Sequence, residues 1–315
     1  MPPKNPFQYF PTRSKNEPQL LCEKILIIDS KMKQSGLSPE DVRMTPDVIK
    51  QAWERADTLL KDRIKQSEFK DNPDFTQKII EAEKKTTERE KYFRMDREKM
   101  YAMIVEAIIF DEIRKKHWFG KDATTFLTSD FDDYQNGADI AVELQGGLGV
   151  LPHGLLLSMD ATYSEDPQRI IAKLSKSFQN LAAGKMGHIR FYKSADGRFK
   201  GSVDMVPVLV VGFNKVTINE LATLWINKHT RTELENHPAQ RLILEECSVQ
   251  LESFLYFLEN NIKVPNRDLL KSSIETELIM VRKVLLEKKS IPLGKSKGDI
   301  VHSHITTISQ LLGSQ

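Results

Sequence analysis

Acidic side chains are concentrated between residues 122 and 166, a stretch with nine Asp and Glu residues and neither Lys nor Arg. These are Asp122, Asp130, Asp132, Asp133, Asp139, Glu143, Asp160, Glu165 and Asp166. The next stretch, residues 167–215, reverses the charge, with nine Lys and Arg residues against two acidic ones. Carboxylate oxygens are the ligands that Mg²⁺ prefers, and cationic side chains bind phosphate groups. The pattern therefore favours a divalent metal ion acting on a phosphodiester bond.

Two predicted strands each carry an Asp. In GADIAVEL, a period of two places Asp139 and Glu143 on one face of a strand. In GLLLSMDATYS the same period places Asp160 and Thr162 on one face. An Asp inside an apolar strand needs a partner or a function, so Asp160 is the strongest ligand candidate. Glu143 is expected either to bind the metal or to pair with an Arg of the basic segment.

Other acids have structural explanations beside functional ones. Asp130, Asp132 and Asp133 lie in SDFDDYQNG, where Asp serves as a turn former or helix N-cap. A structural role is predicted for each, and Asp132 or Asp133 is the better candidate for an extra ligand. Glu106 lies within the apolar helical segment MYAMIVEAIIFDEI, where an unpaired carboxylate is costly. It must have a cation or hydrogen-bond partner, or face a site.

The remaining sequence predicts the elements that position these residues. Helices are predicted at 20–33, at 45–65 and, as one long or two abutting helices, at 74–117, which has neither Pro nor Gly. Strands are predicted for TTFLTSDF, GADIAVEL, GLLLSMDATYS, GHIRFYKS and SVDMVPVLVVGF, with a helix from Pro167 to Gly184 after the third. Beyond Thr217 three helices are predicted, followed by a short, partly flexible tail that ends in one helical turn. His302 and His304 in that tail are not expected to bind metal.

This order of elements resembles the core of the PD-(D/E)XK nuclease superfamily. A helix with Glu106 precedes a strand with Asp139, a second strand with Asp160, a crossover helix and a further strand. The resemblance implies an α/β fold, with a restriction-endonuclease-like mixed sheet core flanked by N- and C-terminal helical regions. It also implies that Asp139 and Asp160 bind Mg²⁺ or Mn²⁺, and that Glu106 supports this ion or binds a second one.

One position departs from the pattern of that superfamily. Its members have a Lys two residues after the last ligand to orient and deprotonate the attacking water, whereas this chain has Thr162. Threonine can hydrogen-bond a water but carries no charge. Some members carry the lysine on the following helix, where Lys173 lies at the edge of the apolar stripe and Lys176 points to solvent. Lys173 is the predicted replacement, and a surface lysine packed beside the core is the alternative.

Five residues of the basic segment are expected to contact phosphates or to form the solvated face of a hairpin. They are Lys185, Arg190, Lys193, Arg198 and Lys200. The expected nucleic acid is DNA in preference to RNA. The helical regions on both sides are expected to shape access to the site or to bind a protein partner.

Composition limits the remaining possibilities. The chain has 315 residues, 40% of them hydrophobic, and a formal net charge of +2. Because it has no run of about 18 apolar residues and no signal-peptide pattern, a cytoplasmic protein without a membrane partner is expected. Cys22 and Cys247 are too few for a disulfide framework or a zinc site. The predicted organisation is an extended arm at 1–18, a helical region at 19–96, the nuclease-like core at 97–215 and a second helical region at 216–315.

Three functional interpretations follow. The first is a Mg²⁺-dependent deoxyribonuclease with Glu106, Asp139, Asp160 and Lys173 as its catalytic residues. The second is a catalytically inactive binding or scaffold protein that retains the nuclease fold, since loss of the motif lysine is what an inactive member would show. The third is a helical interaction protein in which the acidic stretch is only a solvated sheet edge.

Overall fold

Helices and strands alternate along the part of the chain that the computed structural model describes: residues 46–90, 97–115, 117–144, 155–194, 196–293 and 298–314. The predicted arm, the predicted helix at 20–33 and Cys22 lie outside these residues. The helices are α1 Pro46–Leu60, α2 Thr76–Glu90, α3 Arg97–Arg114, α4 Asp130–Asn136, α5 Pro167–Ala182, α6 Lys215–Ile226, α7 Arg231–Glu235, α8 Ala239–Asn260, α9 Arg267–Glu287 and α10 Ile300–Gly313. The strands are β1 Ala123–Leu127, β2 Ile140–Leu144, β3 Leu155–Thr162, β4 Gly187–Lys193, β5 Lys200–Val206 and β6 Val208–Gly212. Short 3₁₀ turns occupy Gln66–Phe69, Pro73–Phe75 and Lys228–Thr230.

The centre of the fold is a four-stranded sheet in the order β1-β2-β3-β6. Strands β1, β2 and β3 pair antiparallel, whereas β3 and β6 pair in parallel. A parallel neighbour cannot be reached through a hairpin. The chain therefore crosses over from β3 to β6 through α5 and the β4–β5 hairpin. The mixed α/β class expected from the sequence is confirmed.

The segment SVDMVPVLVVGF forms two strands in different sheets, so its prediction as one strand is wrong. Strand β5 pairs with β4 in a separate two-stranded sheet, and β6 joins the main sheet. Pro207 separates them and has no N–H to donate to a ladder. Met205 adopts a φ of 64°, which is unusual for a residue other than glycine. These two residues turn the chain from the hairpin into the main sheet.

Helix α3 provides much of the core beneath the sheet. It packs on β1 and β3, and Ile104, Ile108 and Ile113 are completely buried. The opposite face of the sheet is covered by the β4–β5 hairpin, whose Tyr192 packs with Ala141 of β2. The segment 74–117 thus contains the two helices α2 and α3 on either side of residues 91–96, which lie outside the described part.

Helix α1 packs on α3 and α6 and ends at Leu60, earlier than the predicted end near residue 65. The turn that follows is attached to the sheet, because Ile64 N donates to Leu127 O at 3.3 Å. This attachment brings the side chain of Arg63 to the end of β1.

Where the sequence predicts a short, partly flexible tail ending in one helical turn, the structure has the buried 14-residue helix α10. It packs on α5, α8 and β6, and Val301, Ile305 and Ile308 are completely buried. Their spacing of four and three residues is that of one helical face. Asp299 caps the helix by accepting hydrogen bonds from Val301 N and His302 N. Among the described helices, none has the length and apolar character needed to cross a bilayer.

Candidate functional site

A cavity of about 740 Å³, here called the acidic pocket, opens where β2 begins and β3 ends. Its acidic lining residues are Asp57, Glu98, Glu106, Asp130, Asp133, Asp139 and Asp160, and its cationic ones are Arg63, Lys99 and Lys173. The four residues predicted to be catalytic, Glu106, Asp139, Asp160 and Lys173, all line this cavity. They reach it from α3, the start of β2, β3 and α5, so the fold brings distant parts of the chain together.

Asp139 and Asp160 lie opposite each other across the β2–β3 ladder. Asp139 lies just before β2, and not inside a strand as predicted. The ladder pairs Ile140 with Met159 at this end, so the next position along it sets Asp139 against Asp160. Asp139 Oδ2 accepts a hydrogen bond from Ala161 N at 2.7 Å. The two carboxylates are thus held by the backbone of neighbouring strands.

Glu106 enters the acidic pocket from α3 and is paired with Arg63. Arg63 Nη2 donates to Glu106 Oε1 at 2.5 Å and lies 3.1 Å from Asp133 Oδ2. Both expectations for Glu106 are therefore met, since it has a cationic partner and also faces the cavity. Arg63 is missing from the predicted site because nothing in its local sequence distinguishes it from Lys61 and Lys65 beside it. Only the tertiary attachment of this turn to β1 reveals its position.

Lys173 reaches the acidic pocket from the first half of α5. Its ammonium forms an ion pair with Asp160 and donates to Ala161 O at 3.4 Å. The rotation of α5 is fixed by the completely buried Ile170 and Leu174, which leaves Lys173 at the edge of the apolar stripe as the helical spacing predicts. Burial lowers the pKa of Lys173, but the charges of Asp160 and Asp139 and the hydrogen bond to Asp160 together outweigh this effect and raise the pKa overall. The side chain therefore carries a positive charge.

The surroundings of Glu106 disfavour the ionised form of its carboxyl group. Burial raises its pKa to about 7; Arg63 opposes that shift and the negative charge of Asp133 adds to it. A carboxyl group with this pKa is close to half protonated at neutral pH. Glu106 therefore depends on a neighbouring cation to remain an anion.

The same effects act on the two Asp residues. Burial raises the pKa of Asp139 well above its usual value, and the charges of Asp133, Asp160 and Glu106 raise it further. Burial also raises the pKa of Asp160, although Lys173 opposes the shift. These carboxylates repel one another, so the binding of a further cation among them is electrostatically favourable.

The segment SDFDDYQNG forms a helix, where part of it was predicted as strand and turn. Ser129 caps α4 by accepting from Asp132 N, and Gly137 ends it with a φ of 69°. Asp132 is completely buried and accepts hydrogen bonds from Arg190 N at 2.7 Å and Phe191 N at 3.1 Å. The role of Asp132 is therefore structural, as the sequence predicts.

The other two acids of α4 face the acidic pocket. Asp133 and Asp130 both line it, and their carboxylates lie 3.1 Å and 3.6 Å from the Arg63 side chain. Of the two residues proposed as an extra ligand, Asp133 therefore has the suitable position and Asp132 does not.

Glu143 and Thr162 lie outside the lining of the acidic pocket. Glu143 is buried beneath the β4–β5 hairpin, where it accepts a hydrogen bond from Tyr192 Oη at 3.2 Å. Glu143 is expected to bind the metal or to pair with an Arg; the structure places it away from the cavity, with Tyr192 as a partner. Thr162 Oγ1 accepts from Ser164 N at 3.3 Å. This local bond turns the hydroxyl away from the cavity.

The five basic residues predicted to contact phosphates do not line the acidic pocket. Arg190 lies over the ring of Phe131 at 4.5 Å, Lys193 is 3.6 Å from Glu68, and Lys200 lies over Phe69. These contacts stabilise the packing of the hairpin on the 3₁₀ turn Gln66–Phe69 and on α4. Lys176 is exposed, as predicted, and donates to Gln135 O at 3.3 Å.

The donor set of the acidic pocket suits a hard divalent cation, because its acidic residues offer only carboxylate oxygens. Each of the three predicted ligands is turned toward a protein donor: Glu106 to Arg63, Asp139 to Ala161 N, and Asp160 to Lys173. Accordingly, no three acidic, His or Cys side chains within the described ranges are placed as a ready metal-binding group. A bound ion would replace these donors as the partner of the carboxylates.

Comparison of the chain with protein-family models, with curated proteins and with solved structures gives no significant match.

Proposed function

We propose that this chain is a divalent-metal-dependent nuclease of the PD-(D/E)XK type, acting on DNA phosphodiester bonds. The observation that carries the proposal is the convergence of Glu106, Asp139, Asp160 and Lys173 on one cavity from four different elements. The order of elements also supports a restriction-endonuclease-like core. A helix precedes three antiparallel strands, and a crossover helix leads to a strand parallel to the third.

The charge of the acidic pocket indicates why a metal ion would be needed. Its lining has seven carboxylates and three cationic side chains, and such a surface repels a phosphodiester. Asp139 and Asp160 would hold Mg²⁺ or Mn²⁺, and Glu106 would support that ion or hold a second one. When bound, the ion supplies Lewis acidity toward a phosphoryl oxygen and lowers the pKa of a coordinated water.

The protein itself supplies position and charge. Lys173, paired with Asp160 at the end of β3, has three N–H donors that orient an attacking water and stabilise negative charge on the phosphate. It takes the place of the motif lysine, whose position is occupied by Thr162. Arg63 pairs with Glu106 at 2.5 Å and opposes the rise of its pKa, which favours the ionised carboxylate.

The hydrogen bond of Thr162 favours a second function, that of a non-catalytic binding protein. The hydroxyl of Thr162 bonds to Ser164 N and not to anything in the cavity, so the motif position contributes no group to the chemistry. A nuclease fold without catalysis, which binds nucleic acid or a protein partner as a scaffold, is consistent with this loss.

Metal binding is tested by thermal unfolding with and without Mg²⁺ or Mn²⁺. We expect the ions to raise the melting temperature of the wild type, and Asp160→Asn to remove most of that increase because it removes one ligand charge. Asp204→Asn is the matched control, since Asp204 is 79% exposed on β5, outside the acidic pocket. A melting temperature that does not respond to either metal contradicts the metal site.

Catalysis is tested separately by incubating the protein with plasmid, short duplex and single-stranded DNA in Mg²⁺ or Mn²⁺. We expect cleavage by the wild type and by Asp204→Asn, and none by Asp160→Asn or Lys173→Met. Binding of DNA without cleavage in any divalent metal would establish the scaffold function in place of the nuclease.

A further inference from the structure

A second cavity of about 560 Å³ adjoins the acidic pocket on the side of α1 and α2. Its charged lining residues are Asp57, Lys61, Arg63, Lys65, Glu83 and Asp130. Three of these, Asp57, Arg63 and Asp130, also line the acidic pocket, as do Leu60 and Thr86. The two cavities are therefore continuous, and Arg63 lies at their junction.

The two cavities differ in charge. The second cavity has three cationic residues, Lys61, Arg63 and Lys65, against three acidic ones, whereas acids exceed cations in the acidic pocket. The Lys61 partner is Asp57, at 2.7 Å, with the lysine side chain 71% exposed. An exposed ion pair of this kind contributes little stability, so Lys61 can exchange it for a phosphate at small cost.

Arg63 is held at the junction by the carboxylates of Glu106, Asp133 and Asp130. Its side chain is only 12% exposed and is fixed by Glu106 and Asp133 through Nη2. Nη1 makes a long hydrogen bond of 3.4 Å to Thr128 O. A guanidinium has five N–H donors in one plane, and a phosphate oxygen is a stronger acceptor for them than a distant carbonyl.

We propose that the second cavity is a subsite for single-stranded nucleic acid, and that Arg63 binds the phosphate between this subsite and the acidic pocket. The inference rests on the proposed nuclease function and adds the form of its substrate. A strand whose scissile phosphate lies at Asp139 and Asp160 continues past Arg63, and Lys61 and Lys65 contact its next phosphates. A cavity of about 560 Å³ has the size of a small-molecule pocket, so we expect it to take one strand in preference to a duplex.

Binding is measured by fluorescence anisotropy of an end-labelled short oligonucleotide, as a single strand and as a blunt duplex of the same sequence, in Ca²⁺. We expect the single strand to bind at least about tenfold more tightly than the duplex. Lys65→Met is expected to weaken single-strand binding several-fold and to lower the slope of log affinity against log salt by about 1. Arg63→Met is expected to weaken it about tenfold or more, and Arg63→Lys less.

Lys84→Met is the matched control, because this exposed lysine of α2 lines neither cavity. Lys65→Met keeps the test informative if Arg63→Met fails to fold. Equal affinities for strand and duplex, or wild-type affinity in both Lys65→Met and a folded Arg63→Met, overturn the subsite while metal binding and cleavage still stand. A wild type that neither responds to metal nor binds DNA removes the proposed function, and the subsite with it.

Discussion

Lys173 and Asp160 form an ion pair that joins the crossover helix α5 to the end of strand β3. Asp160 is mostly buried, with 17% of its side chain exposed, and burial raises its pKa. Lys173 is therefore the partner that allows this carboxylate to be ionised inside the acidic pocket.

Lys173→Met should lower the melting temperature in EDTA, because it leaves Asp160 without its cation. Added Mg²⁺ should then raise the melting temperature of the variant more than that of the wild type, since the ion replaces the missing charge. Differential scanning calorimetry measures both effects. Lys263→Met, an exposed change between α8 and α9, serves as the control. An equal response to Mg²⁺ in variant and wild type would show that Lys173 and the ion do not share a site.

Asp132→Ala should lower the free energy of unfolding by about 3 kcal/mol or more. The completely buried carboxylate accepts hydrogen bonds from the backbone amides of Arg190 and Phe191, and both amides lose their partner. Urea unfolding measures the change. Asp130→Ala, in the same helix but with a side chain 65% exposed, should cost less than about 1 kcal/mol. Similar losses for the two variants would contradict the structural role of Asp132.

The sequence alone does not predict which of Asp130, Asp132 and Asp133 is buried. Alternation within β3 and helical spacing within α5 are local properties, and they predicted the faces on which Asp160 and Lys173 lie; that the two residues face one site was expected from the resemblance to the nuclease superfamily. Which Asp of α4 turns inward depends on the β4 backbone, about 58 residues further along the chain. No local pattern carries that information.

Long-range contacts also determine two features that the sequence does not predict, the position of Arg63 and the division of the segment around Pro207 into two strands. Arg63 reaches the acidic pocket because its turn is attached to the end of β1, and its flanking sequence resembles any exposed helix end. The segment around Pro207 has the apolar pattern of one strand, but the partner of each half decides that it forms two.

The stability of the protein should fall as the pH rises from about 5 to 8, partly through Glu246 and His302. Burial raises the pKa of Glu246 to about 7, against the opposing hydrogen bond from His302. Burial lowers the pKa of His302, but the hydrogen bond and charge of Glu246, with the charges of Glu245 and Asp299, together outweigh this effect and raise the pKa. Both groups hold protons more tightly when folded, so their contribution is complete at low pH and is lost as the pH rises through the raised values.

Glu246→Gln isolates this contribution. The variant removes one of the two titrating groups and keeps an oxygen that can accept from Gly212 N, which lies 3.0 Å from Glu246 Oε2. We expect the slope of the free energy of unfolding against pH to be shallower in the variant than in the wild type between pH 5 and 8. Equal slopes in urea titrations across this range would contradict the assignment.

Ile308→Ala should lower the free energy of unfolding by about 2–5 kcal/mol, because Ile308 of α10 is completely buried. Gln310→Ala, on the exposed side of the same helix, should change it by less than about 0.5 kcal/mol. Guanidinium unfolding of both variants tests whether α10 is part of the cooperative fold. A small effect of Ile308→Ala would restore the flexible tail that the sequence predicted.

The covering of β6 by α10 has a consequence for synthesis on the ribosome. Strand β6 is at one edge of the main sheet, and the helix that packs on it, Ile300–Gly313, is translated long after Val208–Gly212. At ordinary elongation rates the delay is on the order of ten seconds. During that interval the nascent chain presents an incompletely covered apolar edge, which makes this strand the place where chaperones would bind and where premature association between chains would begin.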